Sequence, residues 1–371
     1  MKFSVSSNEL QKVLGVVSGV IPQKSTLPIL ENVLFDLSKN ELTITATDLE
    51  ISISVKLSVK GNSEGKIAVP AKRLFETVRS LPSTDMTFSA DAGDGKIVIQ
   101  TQNGEYKLSG ESSDNYPTVP GFKGQDNLSV DNETIRRLIS KTSFAVSSDE
   151  LRPAMMGILF QIKKNGICAV ATDGHRLVKF ENTKFASGKM ERDVIIPAKA
   201  LNLVLKSIEG KETSVSFNET HAMFSSGSTT LISRLIEEKY PNYESVIPLD
   251  NDKKLVVDKN QLLSSARRTA LYASSTTHQV RFAVKKNSVT VSAEDIDFGS
   301  EAKETLKGEY SDDPMEVGFN SAYIIDILSH VDTEEVLFLF SSPTRASIVK
   351  PVTQREGESV LMLVMPVRLN A

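Results

Sequence analysis

The segment "AVATDGHRLVKF", residues 169–180, sets an acid, a base and a cation close together: Asp173, His175 and Arg176. Such a set can supply a general base or a metal ligand if partner side chains converge on it in the folded chain. Few partners exist, because the sequence has 4 histidines and one cysteine, Cys168, which lies in an apolar run. Asp and Gly also favour strand reversal. We therefore interpret "TDG" as a turn, and expect no catalytic residue, metal or cofactor.

Other signatures of an enzyme are missing from the sequence. No glycine-rich nucleotide loop of the G-x-x-x-x-G-K-[ST] or G-x-G-x-x-G type occurs. Cys168 is expected to be buried and inert. The prediction is a protein that binds partners and does not catalyse a reaction.

Internal repetition gives the organisation of the chain. "AVATDGHRL" around Asp173 echoes "TITATDLEI" around Asp48, 125 residues earlier, and "VSAEDIDFG" places Glu294 another 121 residues on. The helix starts "VPAKRL", "IPAKAL" and "FNSAYI" recur at similar intervals. A period near 124 residues indicates whole domains in series. The predicted domains are 1–124, 125–250 and 251–371.

Each copy is predicted to be an α+β unit of two helices and antiparallel strands. Ser6 with Glu9 fits a capping box, and Asp258 with Gln261 is a looser version. Apolar residues then recur at helical spacing, and alternating stretches such as "LTITATDLEISISVKLSV" predict strands. The apolar positions of the six predicted helices are Leu10, Val13, Leu14 and Val17; Leu74, Val78 and Leu81; Ile135, Leu138 and Ile139; Leu201, Val204, Leu205 and Ile208; Leu262 and Ala266; Ile324, Ile327, Leu328 and Val331.

Composition limits the location and the partners. The 371 residues are 40% hydrophobic, no window approaches a membrane span, and the amino terminus lacks the apolar core of a secretory signal. We expect a cytoplasmic protein without a membrane partner. The net charge is −4, but basic residues recur on the predicted helices. If those helices share a surface, it suits contacts to the phosphates of a DNA duplex without base readout. The candidate DNA-facing residues are Lys12, Lys24, Arg73, Arg79, Arg137, Lys141, Lys199, Lys206, Arg267 and Arg268.

Over its whole length the chain resembles the bacterial replicative sliding clamps, the β subunits of DNA polymerase III. The resemblance is carried by "ATDGHRL", "PILENVLFD", the two "PAK" helix starts, "YPNYESVIP" and "LVMPVRL", in order across the three copies. It implies three similar domains and two chains closed head to tail into a ring around duplex DNA. It also implies tethering of the polymerase catalytic subunit, the clamp loader and repair polymerases through short linear peptides.

The resemblance further implies one peptide groove per chain, between copies two and three. Departures are Ser245, where relatives often have a basic residue, and the added Asn370 and Ala371. The implied groove residues are Met155, Thr172, Gly174, His175, Arg176, Leu177, Pro241, Val246, Asn320, Tyr323, Val364, Met365, Pro366, Val367 and Arg368.

For the dimer, the resemblance points to an edge of copy one around Tyr106 and Leu108. That edge would meet copy three near Leu271 and Tyr272, with the acidic "EAKE" segment close by. Ordinary sheet packing is the alternative for Tyr106. A monomeric three-domain scaffold that binds peptides without encircling DNA is the alternative for the whole protein.

Overall fold

The computed structural model describes residues 1–91, 93–119, 121–122, 126–188 and 190–369. The chain divides into two compact units: the first holds Met1–Arg136 and Lys199–Leu235, the second Arg137–Ala198 and the described residues from Ile236 onwards. Within the described residues, no helix is both long and apolar enough to cross a membrane. The predicted boundary at residues 124 and 125 and the Asn370–Ala371 extension lie outside the described residues.

The helices form where the apolar spacing predicts them, two in each repeat. Their one-sided stripes are buried against the sheets: Leu10 and Leu14 in the first helix and Ile324 and Leu328 in the last are at most 1% exposed. Leu81 and Leu205, predicted in these stripes, are only partly buried. The helices are α1 (Ser7–Val17), α2 (Ala71–Ser80), α3 (Asn132–Ser140), α4 (Ala198–Ser207), α5 (Lys259–Ala270) and α6 (Ser321–Ser329).

The capping prediction is correct for α5 and wrong for α1. The Asp258 carboxylate accepts a hydrogen bond from the backbone N–H of Gln261 at 2.7 Å and so caps α5. Ser6, predicted to cap α1, makes no side-chain cap hydrogen bond. The Ser7 hydroxyl instead donates to the carbonyl of Pro82 at 2.9 Å.

In the first unit, strands form a five-stranded sheet in the order β5-β1-β7-β8-β9 and an eight-stranded sheet in the order β10-β15-β16-β17-β4-β3-β2-β6. The strands are β1 (Lys2–Ser6), β2 (Asn32–Ser38), β3 (Glu41–Thr47), β4 (Ile51–Ser58), β5 (Lys60–Ser63), β6 (Gly65–Pro70), β7 (Asp85–Ala90), β8 (Lys96–Gln100), β9 (Glu105–Ser109), β10 (Asp126–Asp131), β15 (Glu212–Phe217), β16 (His221–Ser226) and β17 (Thr229–Arg234).

In the second unit, one twelve-stranded sheet runs in the order β14-β11-β12-β13-β25-β24-β23-β18-β21-β20-β19-β22. The strands are β11 (Gly157–Lys163), β12 (Gly166–Thr172), β13 (Arg176–Asn182), β14 (Arg192–Pro197), β18 (Lys253–Asp258), β19 (Gln279–Lys285), β20 (Ser288–Asp295), β21 (Ser300–Glu309), β22 (Met315–Asn320), β23 (Glu335–Phe340), β24 (Ser347–Pro351) and β25 (Glu358–Val364).

Successive repeats are joined by antiparallel strand pairs. In the first unit β4 of copy one pairs with β17 of copy two, and in the second unit β13 of copy two pairs with β25 of copy three. In both pairs the strand that follows the "TD" turn meets the last strand of the next copy. The prediction of an α+β fold built from three similar copies is confirmed.

Candidate functional site

The "TDG" segment is a hydrogen-bonded turn between β12 and β13. The Asp173 Oδ1 atom accepts hydrogen bonds from the backbone N–H groups of His175 and Arg176, both at 2.9 Å. The Thr172 hydroxyl donates to the carbonyl of Arg176 at 2.7 Å and accepts from the N–H of Gly174 at 3.1 Å. Asp173 therefore shapes the backbone, as the turn interpretation predicts.

Copy one repeats this turn atom for atom. Asp48 Oδ1 accepts from the N–H of Ile51 at 2.7 Å, and the Thr47 hydroxyl accepts from the N–H of Leu49 at 3.1 Å. Gly174 has φ +91°, and its equivalent Leu49 has φ +79°. Glycine adopts this left-handed region freely, whereas a side chain such as that of Leu49 is strained there.

Arg176 lies behind the turn with its charge already satisfied. Its Nε is 3.1 Å from Asp173 Oδ2 and its Nη1 is 2.6 Å from Asp326 Oδ2. The guanidinium carbon lies 4.7 Å from the ring centroid of Tyr323 and 5.5 Å from that of Phe144, which are cation–π distances. The Arg176 side chain is only 10% exposed. It holds the turn, α6 and Phe144 together.

The exposed ring of His175 and the partly buried ring of Tyr323 form an aromatic rim next to Arg176. Their ring centroids are 6.1 Å apart with an interplanar angle of 18°. The His175 carbonyl accepts a hydrogen bond from the N–H of Met365 at 2.8 Å, which fixes the chain beyond β25 beside the turn. Burial, assisted by the charge of Asp173, raises the pKa of the Tyr323 hydroxyl, so Tyr323 is neutral at physiological pH.

The floor near this rim belongs to one apolar cluster, which includes Leu177, Tyr240 and Leu363 with Ile247 packed against it. Two apolar side chains stay accessible beside it: Val246 is 53% exposed and Met365 40%. Exposed apolar groups above a buried floor suit an apolar ligand that brings its own anchor residues.

The segment after β25 packs against β22. The backbone of Val367 pairs with Gly318 in β22, with an N–H to carbonyl distance of 2.9 Å. A Cβ on Gly318 would lie 2.7 Å from the Val367 carbonyl oxygen, so the close approach requires glycine. The terminal apolar segment is thereby ordered.

The structure brings all fifteen predicted groove residues into the second unit. They differ in accessibility, and buried members can shape the site without touching a ligand. Met155, Thr172, Leu177 and Val364 are buried; Arg176, Asn320, Tyr323, Pro366 and Val367 are partly buried; Gly174, His175, Pro241, Val246, Met365 and Arg368 are exposed.

The structure adds detail on four side chains at the predicted site: Asn320, Ser245, Asp326 and Phe144. The Asn320 side chain accepts from the N–H of Ala322 at 2.9 Å, so it caps α6. The exposed Ser245 hydroxyl donates to the carbonyl of Asn242 at 2.8 Å. Sequence reasoning missed Asp326 and Phe144, the partners of Arg176. Asp326 lies three residues after Tyr323 on α6, and that spacing places both on one helix face.

Arg137 and Lys141, predicted to face DNA, are instead held in buried ion pairs. Lys141 Nζ lies 2.5 Å from Asp332 Oδ1, and its side chain is 8% exposed. Arg137 pairs through Nε with Glu358 at 2.7 Å and through Nη2 with Asp332 at 3.0 Å, and its side chain is 12% exposed. Both charges have carboxylate partners and leave little exposed surface for a phosphate, so their predicted contact with DNA is less favoured than that of the exposed basic residues.

Burial and ion pairing shift the pKa values of Lys141 and Asp332 in this cluster. Burial lowers the pKa of Lys141, and the hydrogen bond with Asp332 only partly opposes it. For Asp332 burial acts to raise the pKa, but Lys141 and then Arg137 outweigh it, so its pKa lies below the ordinary value. Asp332 is therefore ionised at neutral pH.

The other eight predicted DNA-facing side chains are exposed. Two of them make ion pairs: Lys199 with Asp48 at 2.5 Å and Arg268 with Glu304 at 2.6 Å. The remaining six make no ion pair with any residue that the structure describes, namely Lys12, Lys24, Arg73, Arg79, Lys206 and Arg267.

The four residues predicted for the dimer are accessible or partly so. Tyr106 is 38% exposed and Leu108 partly buried, on β9 at the edge of its sheet. Leu271 and Tyr272, just after α5, are 82% and 45% exposed.

Among the described residues, no group of three or more His, Cys, Asp or Glu side chains could hold a metal ion. Burial raises the pKa of Cys168 to about 11, so its thiol is protonated and unreactive at neutral pH.

Comparison with known proteins agrees with this geometry. The models for the N-terminal, central and C-terminal domains of the DNA polymerase III beta subunit match residues 1–120, 129–242 and 244–368. The chain belongs to the DNA polymerase III beta subunit family. A relative from Pseudomonas aeruginosa, named beta sliding clamp, is 30% identical over 372 residues, with both chains fully covered. The beta sliding clamp of Chlamydia muridarum is 28% identical, again with both chains fully covered.

Solved structures of the family have the same fold. The DNA polymerase sliding clamp of Pseudomonas aeruginosa is similar with a TM-score of 0.90 at 29% identity, and both chains are fully covered. A sliding clamp from Bartonella birtlesii bound to griselimycin gives a TM-score of 0.93 at 28% identity, also with full coverage of both chains.

Proposed function

We propose that two copies of this chain close head to tail into a ring around duplex DNA and act as a sliding clamp. The ring tethers the replicative DNA polymerase and other replication and repair proteins, and so makes synthesis processive. Family membership and relatives named beta sliding clamp support this function.

One observation carries the proposal. Each junction between copies joins two particular strands, and one strand of each kind is left without such a partner, one in copy one and one in copy three. At each junction the strand after the turn pairs with the last strand of the next copy. The strand after the turn in copy three is β21, and the last strand of copy one is β9. In the described chain β9 pairs only with β8, and β21 pairs with β20 and, at its last two residues, with β18. A second copy supplies the missing partner for both edges.

The two edges are chemically compatible. The exposed face of β9 alternates Glu105 and Lys107, and that of β21 alternates Glu301 and Lys303. Antiparallel pairing can match such alternating charges across the strands. Tyr106 and Leu108 on the other face of β9 offer apolar contacts to the exposed Leu271 and Tyr272, as the resemblance implies.

The exposed basic residues suit weak contacts with a DNA duplex that a closed ring encircles. Lys12, Arg73 and Lys206 lie on three different helices and make no ion pair within the described chain. Contacts from such residues to phosphates are independent of sequence and weaken as salt rises. A closed ring needs no tight contact, so a modest lining inside a protein of net charge −4 is sufficient.

We assign the peptide site to the rim and floor around His175, Tyr323, Val246 and Met365. Its exposed apolar groups favour short peptides with leucine or phenylalanine anchors, and its methionine adapts to related sequences. The griselimycin complex of the Bartonella birtlesii clamp shows that a relative binds a ligand. Arg176 shapes this site from behind.

The proposal includes the domain boundaries and the location given by the sequence. Three clamp domains at 1–124, 125–250 and 251–371 agree with the order of the family matches. A clamp acts on chromosomal DNA, so we place the protein in the cytoplasm and assign it no catalytic activity.

The test is retention on DNA. A clamp loader places the protein on a nicked circular plasmid at high salt, and the plasmid is then cut to a linear form. We expect retention on the circle and loss on cutting, which defines topological binding. Equal release from both forms by a protein that sediments at the monomer mass of 40.6 kDa would favour the monomeric scaffold instead.

A further inference from the structure

The linker before β18, residues 247–252, carries the most exposed large apolar side chain that the structure describes. This is Leu249, which is 98% exposed. A single exposed leucine is ordinary on a protein surface, so its position decides whether it has a role. Leu249 lies three residues after Val246, which is 53% exposed at the proposed peptide site. Three residues of extended chain span at most about 11 Å, so one short peptide can reach both side chains.

Both ends of this linker are attached to the apolar cluster that forms the floor of the peptide site. Ile247 packs against that cluster. The Asn251 side-chain amide donates a hydrogen bond to the carbonyl of Ala346, a member of the cluster, at 2.9 Å, and another to the carbonyl of Leu339 at 3.0 Å. Leu249 is two residues from each attachment. Its backbone therefore lies at the edge of the floor, and its side chain is exposed beside it.

The backbone around Leu249 is restrained on both sides. Pro248 fixes its own φ and restricts the conformation of Ile247. On the other side, the Arg345 Nη1 atom pairs with Asp250 Oδ2 at 2.5 Å. A side chain presented on a restrained backbone loses little conformational freedom when a ligand covers it, and this favours binding.

The charges beside Leu249 favour an apolar ligand group over an acidic one. Residues 244–251 include the carboxylates of Glu244 and Asp250 and no basic residue. The Arg345 guanidinium, which lies next to this linker, is already paired with Asp250. An acidic group at this position would meet like charge. The contact that Leu249 offers to a passing peptide is therefore an apolar one.

We propose that Leu249 extends the peptide site, so that this protein prefers peptides with a further apolar residue up to about three positions beyond the leucine or phenylalanine anchors. The anchors bind over the floor beside Val246, and the additional apolar side chain packs on Leu249. The extension rests on the peptide site proposed above and determines which peptides that site prefers.

The test compares labelled peptides that share the same leucine and phenylalanine anchors. One peptide has the anchors alone, and two series carry a single leucine or a single serine at successive positions beyond them, on either side. Fluorescence anisotropy gives the affinity of each peptide for the full chain and for L249S. At one placement we expect leucine to bind about five- to tenfold more tightly than serine, because it buries apolar surface on Leu249. In L249S that ratio should fall to about one, while the peptide with the anchors alone binds both proteins equally.

The matched control is V352S, which replaces another exposed apolar side chain at the other end of β24 from Ala346 and should leave every affinity unchanged. L249M should keep the preference for leucine. Since Leu249 is 98% exposed, L249S should melt at the same temperature as the unchanged chain. A preference for leucine that persists in L249S, or that is absent at every placement in the unchanged chain, would overturn the extension while the peptide with the anchors alone still binds. Failure of that peptide to bind the unchanged chain would overturn the peptide site itself.

Discussion

Replacing Arg176 with methionine tests whether this residue positions the groove or contacts the ligand. The change keeps the volume and removes two charge-assisted hydrogen bonds, to Asp173 and Asp326, and two cation–π contacts. Hydrogen bonds to charged groups contribute about 1.5–3 kcal/mol each, but Asp326 is 44% exposed and its share is smaller. We expect a loss of about 2–4 kcal/mol of folding free energy in the second unit.

Peptide affinity should respond much less than stability. Arg176 is 10% exposed, so the variant acts on a peptide only by loosening Tyr323 and His175. Fluorescence anisotropy with a labelled leucine- and phenylalanine-containing peptide, well below the melting temperature, should show a loss of about three- to tenfold. H175A is the control: it should reduce affinity with little change in melting temperature. A hundredfold loss in R176M without a change in stability would refute this reasoning and make Arg176 a ligand contact.

Three further changes test the turns and the buried cluster. D332N should destabilise the fold by about 1–3 kcal/mol, since it strips the carboxylate from the buried Lys141 but acts at a half-exposed site. Because the pKa of Asp332 is lowered, the stability difference between D332N and the unchanged chain is fully present above pH 3.8, the ordinary carboxyl value. It disappears as pH falls through the lowered pKa. Urea unfolding at several pH values will measure it. G174A should cost about 1 kcal/mol, as its φ is +91° and a Cβ would lie 3.0 Å from Arg152 Nη1; thermal unfolding will report it. L49G should raise stability by about 0.5–1 kcal/mol in the same assay by removing strain at φ +79°.

The repeats and the secondary structure could be predicted because they depend on local patterns. The stripe of Leu10 and Leu14 and the alternation in "LTITATDLEI" are set by the periods of helix and strand. The predicted cap at Ser6 is wrong, and contacts with distant residues hold the start of α1 instead: the N–H of Ser7 donates to the carbonyl of Thr84, and the Ser7 hydroxyl donates to the carbonyl of Pro82. Local signals cannot show contacts with residues so far along the chain.

The sequence could predict the "TDG" turn and the terminal "LVMPVRL" segment of the candidate site. It could not predict which carboxylates pair with the basic residues. Arg137 and Lys141 have the spacing of a solvent-facing basic stripe, yet their partners Glu358 and Asp332 come from about 190 to 220 residues further along the chain. No local sequence pattern predicts such a pairing. The same holds for Arg176, whose carboxylate Asp326 lies 150 residues away.

The "TD" turn explains why the same short string recurs at junctions and at the groove. Its aspartate uses one oxygen for the backbone, so the second oxygen remains for a cation: Asp48 for Lys199, Asp173 for Arg176. Each turn thus closes a hairpin and points a carboxylate toward a positive group at the same time. In copy two, Gly174 in place of Leu49 leaves the turn without a side chain at its centre, and His175 takes the position of Glu50. The glycine leaves space beside Met155 and the histidine adds an aromatic ring, so the turn of copy two suits the peptide site proposed above while its backbone hydrogen bonds match those of copy one.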